Sequence, residues 1–444
     1  MPTKAELKQR VCDAIDQHKD EIIAIGDAIL HNPETGFKEV KTSRLVAEQM
    51  EKLGLHPRTG LAITGVTGTF SGAKPGPALA IMGELDGLTV SEHPHADPQT
   101  HAAHACGHNA QIAGMLGAAI GLHAAKAGAG LAGEIRFMAV PAEELIEVED
   151  RLRLVEEGKI EFLLGKPEFV AKGYLDGVDL AMMVHMISDI EQRSVLVDSS
   201  NGAVVKRIRF LGRAAHAGAA PQRGVNALNA ATLALQAIHM QRETFWEKDT
   251  IRIHPIITKG GDAVNVVPAE VTVETFIRGS STEAILDANH KVDRCLRAGA
   301  MAVGATVEIQ TIPGYLPQVN NREMGKLFGD NVTQIFGPEQ FALGGHRTSS
   351  TDMGDIAHIM PTIHPYVRGA AGVIHSADWS ISEPEHAYVS PAKLMAMTAI
   401  DLLYDDAGEA RHIMDAFVPK LTKDAYLAFQ RNLFGKQTFQ EGGN

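Results

Sequence analysis

Three apolar runs of this chain end in residues that can bind a metal ion or transfer a proton. The runs at 78–82, 135–140 and 180–184 are followed by Gly-Glu-Leu-Asp, Pro-Ala-Glu-Glu and a histidine. Short apolar runs between turn residues are typical of strands buried on both faces, and helical patterns separate these three. In such sheets, functional residues gather at the carboxyl ends of the strands. The sequence therefore predicts an α/β domain, a mixed sheet flanked by helices, with a site at one sheet edge.

A second pattern begins near residue 195. Strand patterns cover residues 204–211, 251–257, 271–278 and 306–312, and helical patterns cover 228–238 and 285–296. The order β-α-β-β-α-β is that of the ferredoxin-like α+β motif. Because α/β signals resume afterwards, we predict that this motif interrupts the first domain. The predicted domains are a first part of a catalytic domain at 1–194, an inserted ferredoxin-like domain at 195–313, and a second part of the catalytic domain at 314–444.

The composition excludes several classes of protein. Of the 444 residues, 45% are hydrophobic and 21% charged, which argues against wholesale disorder. The formal net charge of −13 argues against a general binder of nucleic-acid phosphates. The sequence has no run of about 18 apolar residues that could span a membrane, and its start does not resemble a signal peptide. We therefore expect a cytoplasmic enzyme that binds neither nucleic acid nor membranes.

Residues 104–109, His-Ala-Cys-Gly-His-Asn, place a thiol and an imidazole two residues apart just before a helical pattern. Cys106 and His108 can converge on one metal ion there, and the helix N-terminus favours the thiolate. In a chain with 20 histidines and three cysteines, chance adjacency or a plain core cysteine explains such a pair about as well. The pair is therefore a weak signal when it is taken alone.

Other elements point to the same chemistry. Glu143 and Glu144 follow a predicted buried strand, where one carboxylate can bind a metal while the other takes a proton from water. Adjacent carboxylates are ordinarily solvated surface residues. His185 and His375 each follow an apolar run, where a histidine is more often a hydrogen-bonded core residue than a ligand. Because chance explains the combination poorly, the elements together predict a metal centre.

These motifs, in this order, resemble the M20 metallopeptidase/amidohydrolase family. The resemblance is closest to the branch that holds aminobenzoyl-glutamate, indole-acetyl-amino-acid and other N-acyl-amino-acid hydrolases. The segments that carry it are 83–86, 104–109, 141–144, His185, 260–268 and His375. It extends from about residue 34 to about residue 403, nearly the whole chain.

The resemblance implies a role for each matching residue of the first domain. The implied metal ligands are Cys106, His108, Glu144, His185 and His375. Cys106 would bridge the ions where two are bound, and the ions would be Zn²⁺ or Mn²⁺. Glu143 would be the general base, and Asp86 would orient a metal-binding group.

In the inserted domain, the resemblance implies that His216 stabilises an oxyanion, often in the partner protomer's active site. Asn265 and Arg278 would hold a carboxylate of the substrate. The domain itself would act as a lid and as the interface of a homodimer. Two features depart from many relatives. Asn109 and Gln111 replace an aspartate and a histidine, so the number of bound ions, one or two, stays open. The span from Glu144 to His185 is longer and contains a charged segment at 147–157.

The implied function is metal-dependent hydrolysis of the amide bond of an N-acyl or N-aroyl amino acid, such as aminobenzoyl-glutamate. The expected substrate is a small molecule that bears a carboxylate, with an aromatic acyl group as one option. Two alternatives stay open. The first is a metal-dependent aminohydrolase that releases ammonia from an activated aromatic amine. The second is a catalytically silent metal-dependent binding protein, against which the adjacent carboxylates Glu143 and Glu144 argue.

Overall fold

The computed structural model describes residues 2–440, which form two compact units. The first unit contains the chain up to Asp198, Val319–Gly345 and Asp355–Thr422. The second contains Ser199–Gln318, His346–Gly354 and the chain from Lys423 onward. Among the helices of the described residues, none is long and apolar enough to cross a membrane.

The first unit is built on a mixed sheet. In spatial order its strands are Arg58–Leu61, Gly65–Ser71, Ala132–Val140, Lys74–Glu84, Leu180–Met182 and Thr362–Ile363. The first two pairings are antiparallel and the other three are parallel. The three apolar runs of the sequence are thus adjacent parallel strands, so their carboxyl ends meet at one edge. The predicted fold class, α/β with an inserted α+β domain, is confirmed.

Helices and shorter strands complete this unit. The helices are Lys4–Gln17, Lys19–Leu30, Val40–Lys52, His108–Ala124, Val148–Glu156, Gly165–Ala171, Arg322–Phe336, Ser390–Leu403 and Gly408–Ala416. Short 3₁₀ turns lie at Ala127–Gly130 and Pro338–Gln340, and a π-helical segment, Glu385–Val389, leads into the helix Ser390–Leu403. A second sheet has the order Phe341–Leu343, Ser194–Leu196, Tyr366–Arg368 and His185–Ile187. Two short hairpins pair Leu88–Thr89 with Ala102–Ala103 and Ala370–Ala371 with Ser380–Ile381.

The helix that follows the Cys-Gly-His segment is anchored in the core. His108–Ala124 is buried along almost all of its length, and its small residues let neighbouring helices approach closely. A Cβ at Gly121 would lie 2.3 Å from Cγ1 of Ile15, and one at Gly117 would lie 2.8 Å from Cβ of Ala392. Because a larger residue at either position would push a helix away, this packing fixes where the helix begins.

The second unit is an antiparallel sheet with two long helices packed on it. Its strands are Arg252–Ile253 and Ile256–Lys259, both paired with Glu270–Gly279, followed by Gly202–Leu211, Thr306–Pro313 and Gly435–Phe439. The long helices are Ala227–Met240 and Thr282–Met301, and their apolar faces share a core with the sheet. Smaller elements are the helix Lys423–Leu433, turns at Pro221–Arg223, Arg242–Thr244 and Glu247–Asp249, and the parallel pair Ser199–Ser200 and His346–Arg347. The helix Met353–Ala357 crosses the division between the units.

Two features of the second unit differ from the predicted pattern. The strand expected at 251–257 is interrupted at His254-Pro255, because proline has no N–H for the strand ladder. The segment from Lys423, predicted to lie in the catalytic domain as part of 314–444, instead supplies the strand Gly435–Phe439 at this sheet's edge. That strand is almost entirely exposed, so it has no apolar pattern to reveal its partner.

Candidate metal centre

Cys106 and His108 lie on either side of Gly107, where the helix His108–Ala124 begins. Gly107 has a φ of 95°, which residues with a side chain rarely adopt, and a Cβ there would lie 3.0 Å from the Cβ of Met186. Glycine is therefore required between the two candidate ligands. The turn that it permits brings the thiol and the imidazole to the same place.

The Sγ atom of Cys106 lies between two sets of candidate ligands. It is 3.5 Å from Nε2 of His185 and 3.3 Å from Nε2 of His375. His108 completes a set with Cys106 and His185, and Glu144 completes a set with Cys106 and His375. Within each set, all ligand atoms lie within 4.8 Å of one another. The structure thus brings together the five residues predicted as metal ligands, with the predicted bridging residue common to both sets.

Backbone carbonyls and Asp86 orient these side chains. Nδ1 of His108 donates to the carbonyl of Asp86 at 2.8 Å, and Nδ1 of His185 donates to the carbonyl of Met186 at 2.6 Å. Because a carbonyl only accepts, these contacts leave each Nε2 free to bind a metal. The carboxylate of Asp86 accepts from the backbone N–H of Glu144 at 2.9 Å. Asp86 therefore contacts two candidate ligands, as a residue that orients them would.

The charges of the site are strongly coupled. Burial, followed by the carboxylate of Glu144, raises the pKa of the Cys106 thiol. The imidazoles of His108, His185 and His375 outweigh both and lower that pKa to about 6. Glu144 raises the pKa of His375 to about 11, against the effect of burial. The thiolate and carboxylate therefore require nearby positive charge, which a divalent cation would also supply.

Several buried atoms of the site suit a cation. Within residues 2–440, Nε2 of His108, Oε1 of Glu144 and Oδ1 of Asp86 are buried and have no hydrogen-bond partner. Oε1 of Glu144 lies 3.1 Å from Nε2 of His375, but outside hydrogen-bond geometry. A buried polar atom without a partner costs about 1–3 kcal/mol, which a bound ion would offset. Thiolate, imidazole and carboxylate are the donors that zinc sites use, so the residues fit such an ion.

Glu143, the residue before Glu144, lies beside His108. Its Oε2 lies 3.9 Å from Nε2 of His108, and the residue is 6% exposed. The preceding residue, Ala142, has a φ of 54°, and its N–H donates to Oε1 of Glu39 at 2.9 Å. This irregular backbone breaks the alternation of a strand, so both glutamates reach the site. Burial first, and the charge of Asp86 second, raise the pKa of Glu39 to about 8.

Three polar residues that no prediction assigned lie beside His108. Oε2 of Glu84 is 3.0 Å from Nε2 of His108, and it accepts from Nε2 of Gln111 at 2.7 Å. Oε1 of Glu84 accepts from Nζ of Lys166 at 2.5 Å. Burial raises the pKa of Glu84, but Lys166 and then His108 lower it to about 2. Glu84 stands in a recognised motif, whereas Lys166 comes from the span between Glu144 and His185 and has no motif to reveal it.

The remaining predicted residues belong to the second unit. Nδ1 of His216 accepts from the backbone N–H groups of Gly218 at 3.2 Å and Ala219 at 3.1 Å. Because Nδ1 accepts, the proton of the neutral ring is on Nε2, and the exposed imidazole can donate from there. The N–H of Ala217 donates to the carbonyl of Asn265 at 3.0 Å, which brings the predicted carboxylate-binding Asn265 beside this loop.

Arg278 lies near the end of the strand Glu270–Gly279 in the second unit. Its guanidinium stacks 5.0 Å from the ring centroid of Phe276. Among the described residues, 2–440, no carboxylate forms an ion pair with it. An arginine that is half-buried, stacked and without a carboxylate partner can bind a carboxylate of another molecule.

Comparisons with known proteins agree with these observations. Residues 199–302 match the M20 peptidase dimerisation domain, which starts where the second unit starts. The Xaa-Arg dipeptidase of Mus musculus is 27% identical over 418 residues, covering 90% of this chain and 90% of that protein. The N-acyl-L-amino acid amidohydrolase of Geobacillus stearothermophilus is 28% identical over 344 residues, covering 74% of this chain and 85% of that protein.

Solved structures share the fold at low sequence identity. A Bacillus subtilis protein described as a dinuclear metal-binding peptidase of the M20 family superposes with a TM-score of 0.65 and 19% identity, covering 87% of this chain and 99% of that one. An aminobenzoyl-glutamate utilization protein from Klebsiella pneumoniae superposes with a TM-score of 0.66 and 18% identity, covering 88% and 98%. An M20 peptidase dimerisation domain thus matches the interior of the chain, and M20 peptidases and amidohydrolases, which hydrolyse C–N bonds, are similar to it along most of its length.

Proposed function

We propose that the protein is a metal-dependent amidohydrolase that cleaves the amide bond of an N-acyl or N-aroyl amino acid. The observation that carries the proposal is the position of Cys106 in two ligand sets at once, with Glu143 beside the His108 of one of them. The names of the relatives Xaa-Arg dipeptidase and N-acyl-L-amino acid amidohydrolase both describe amides in which an amino acid supplies the nitrogen. The aminobenzoyl-glutamate branch is a narrower proposal, supported by a structural neighbour of that name.

The residues present would hold one or two divalent ions. Cys106, His108 and His185 would hold one ion, and Cys106, Glu144 and His375 would hold a second. A bound ion lowers the pKa of water toward about 7 and polarises a carbonyl group. The thiolate favours Zn²⁺, whereas a centre with more carboxylate and water ligands accepts Mn²⁺.

The chain's own groups perform the proton transfers. Glu143 takes a proton from the attacking water and delivers it to the amide nitrogen as that nitrogen leaves. His216 donates from Nε2 to the oxyanion that develops on the carbonyl oxygen. Asp86 contacts the ligands rather than the substrate, so it is a positioning residue. Arg278 and Asn265 bind the carboxylate of the amino-acid part, a guanidinium through two donors and an amide through one.

The second unit is proposed as the lid and the interface of a homodimer. Its match to a dimerisation domain supports the proposal, as does the edge strand Ile256–Lys259, which is exposed along its length. Ile256 is 60% exposed and Ile257 is 42% exposed. An exposed apolar edge strand is a template for pairing with another chain. Sedimentation velocity would show a dimer, and a monomer at all concentrations would contradict this part of the proposal.

The test is a substrate panel assayed with defined metal content. Chelator-treated protein would be reconstituted with Zn²⁺ or Mn²⁺ and incubated with N-acyl and N-aroyl amino acids, Xaa-Arg dipeptides and aromatic amines. We expect release of a free amino acid that depends on the added metal. Release of ammonia without an amino acid would instead identify the aminohydrolase alternative. Metal binding without turnover of any compound would identify a binding protein.

A further inference from the structure

His108 belongs to two sets of candidate ligands that it cannot serve at once. Besides the set with Cys106 and His185, a set joins Glu84, His108 and Glu143, with ligand atoms again within 4.8 Å of one another. Nδ1 of His108 donates to a carbonyl, so Nε2 is the ligand atom in either set. Because one imidazole nitrogen binds one ion, an ion among Glu84, His108 and Glu143 excludes an ion that uses His108 beside Cys106.

The two positions differ in chemistry. A thiolate with two imidazoles suits Zn²⁺, whereas two carboxylates with one imidazole suit Mn²⁺ and other hard cations. An ion at the second position would bind Glu143, and that carboxylate could no longer take a proton from water. The hydrolysis proposed above therefore requires the ion on His108 to lie on the Cys106 side.

The carboxylate of Glu84, which the second position would need as a ligand, already forms an ion pair with the buried ammonium group of Lys166. Nζ of Lys166 lies 2.5 Å from Oε1 of Glu84, and the side chains are 0% and 1% exposed. Gln111 donates to the other oxygen, Oε2, at 2.7 Å, and this is the oxygen that faces His108. Both oxygens of Glu84 are thus already hydrogen-bonded. The charge of Lys166 also opposes a divalent cation beside Glu84, and little water is present to screen it.

The lysine is carried by a segment packed into the core. It lies in the helix Gly165–Ala171, which is buried from Gly165 to Val170. A buried ammonium group requires a compensating charge, and many carboxylates could supply one. Here the compensating group is the carboxylate nearest to the ligand nitrogen of His108. This juxtaposition connects the helix Gly165–Ala171 to the metal centre.

We propose that Lys166 is a positioning residue that holds Glu84 out of metal coordination and so confines the ion on His108 to the Cys106 side. The inference rests on the metal centre proposed above. It concerns where the ion binds, which is measurable without turnover.

The test compares metal binding by the full-length wild type and Lys166→Met. In a titration of metal-free protein with Co²⁺, the thiolate-to-cobalt absorption in the near ultraviolet reports ions bound to Cys106. At one equivalent of Co²⁺, we expect Lys166→Met to give roughly half the wild-type absorption or less, and to bind Mn²⁺ about tenfold more tightly. The double variant Lys166→Met/Glu84→Gln should return to wild-type values, because the competing set has lost a carboxylate.

Lys172→Met is the matched control. Lys172 follows the same helix, is 40% exposed and lies 3.4 Å from Glu168, so its removal should leave both readouts unchanged. Equal cobalt absorption and Mn²⁺ affinity in wild type and Lys166→Met would overturn the inference. Absence of the thiolate–cobalt absorption from the wild type would instead overturn the proposed metal centre. If Lys166→Met does not fold, anomalous diffraction from wild-type crystals soaked in Mn²⁺ decides: an ion bonded to Glu84 contradicts the inference, and ions only beside Cys106 support it.

Discussion

The candidate functional residues of the two units are held in opposite ways. In the first unit, Cys106, His108 and Glu144 are buried, and each contacts at least one other member of the site. In the second unit, His216 and Asn265 are exposed, and each accepts hydrogen bonds from nearby backbone N–H groups. A buried charged cluster is stable only when its charges are matched. An exposed donor has no such requirement and is free to serve a ligand.

This difference predicts which measurement each substitution changes. Substitutions of ligands in the first unit should change metal content and, through it, turnover. Substitutions in the second unit should change turnover or substrate affinity while metal content stays constant. Metal analysis and steady-state kinetics on the same preparations would therefore separate the two groups of residues.

The largest effect is expected for Cys106→Ala. The thiolate belongs to both ligand sets, so both lose a ligand at once. Loss of a group that merely orients a ligand typically costs 10–100-fold in metal affinity. We therefore expect affinity to fall more than about 100-fold and turnover to disappear at equimolar metal. A Cys106→Ala variant that keeps wild-type metal content after dialysis would remove the thiolate from the centre.

Glu143→Gln separates chemistry from metal binding within the first unit. Glutamine keeps the size of the side chain but cannot accept a proton, so kcat should fall roughly 10²- to 10⁴-fold. Metal content should stay at the wild-type value, because Glu143 belongs to neither of the ligand sets that share Cys106. Glu144→Gln is the matched comparison and should lose metal as well. A near wild-type rate for Glu143→Gln would show that another group is the base.

His216→Ala should change turnover without changing metal content. Removal of one oxyanion donor typically lowers kcat by about 10²- to 10³-fold. His239→Ala removes another exposed histidine of the second unit, from the helix Ala227–Met240, and should be neutral. Mixing the slow variants His216→Ala and Glu143→Gln adds information. A gain of activity over either variant alone would mean that His216 acts in the partner protomer's site, and no gain would mean that it acts in its own. Normal kcat in His216→Ala would contradict the oxyanion role.

Much of the first unit is readable from the sequence because parallel strands buried on both faces leave apolar runs. The runs that end near Glu84, Val140 and Met182 form adjacent parallel strands, so the polar residues that follow each run lie at the same edge of the sheet. Periodicity and turn residues carry this information locally.

Other parts depend on contacts that no local pattern encodes. Lys166 and Glu84 are 82 positions apart, and a lysine is normally expected to be solvated. Glu39 is fully buried and reaches Ala142 from 103 positions away. Each of these groups is buried because a distant partner matches its charge or hydrogen bonds. The partner becomes visible only when the strands and helices are placed in space.

Arg278→Met tests substrate binding in the second unit. Hydrogen bonds to a charged group contribute about 1.5–3 kcal/mol, so KM should rise roughly 10- to 100-fold for substrates that bear a carboxylate. The effect on kcat and on metal content should be small. Arg252→Met is the matched control, because Arg252 lies opposite Arg278 in the sheet register and is exposed. An unchanged KM in Arg278→Met, or an equal rise in Arg252→Met, would assign the carboxylate to another residue.

The smallest effect is expected for Cys295→Ala, which compares the same residue type in the two units. Cys295 is 4% exposed in the core of the second unit, and burial raises the pKa of its thiol. At Cys106, three imidazoles reverse the same effect of burial and lower the pKa to about 6. Cys295→Ala should therefore leave metal content and turnover unchanged and lower the free energy of unfolding by about 1 kcal/mol through lost packing. Metal analysis would check the first expectation and denaturant unfolding the second. A drop in metal content would mean that Cys295 also contributes to metal binding, contrary to its assignment as a core thiol.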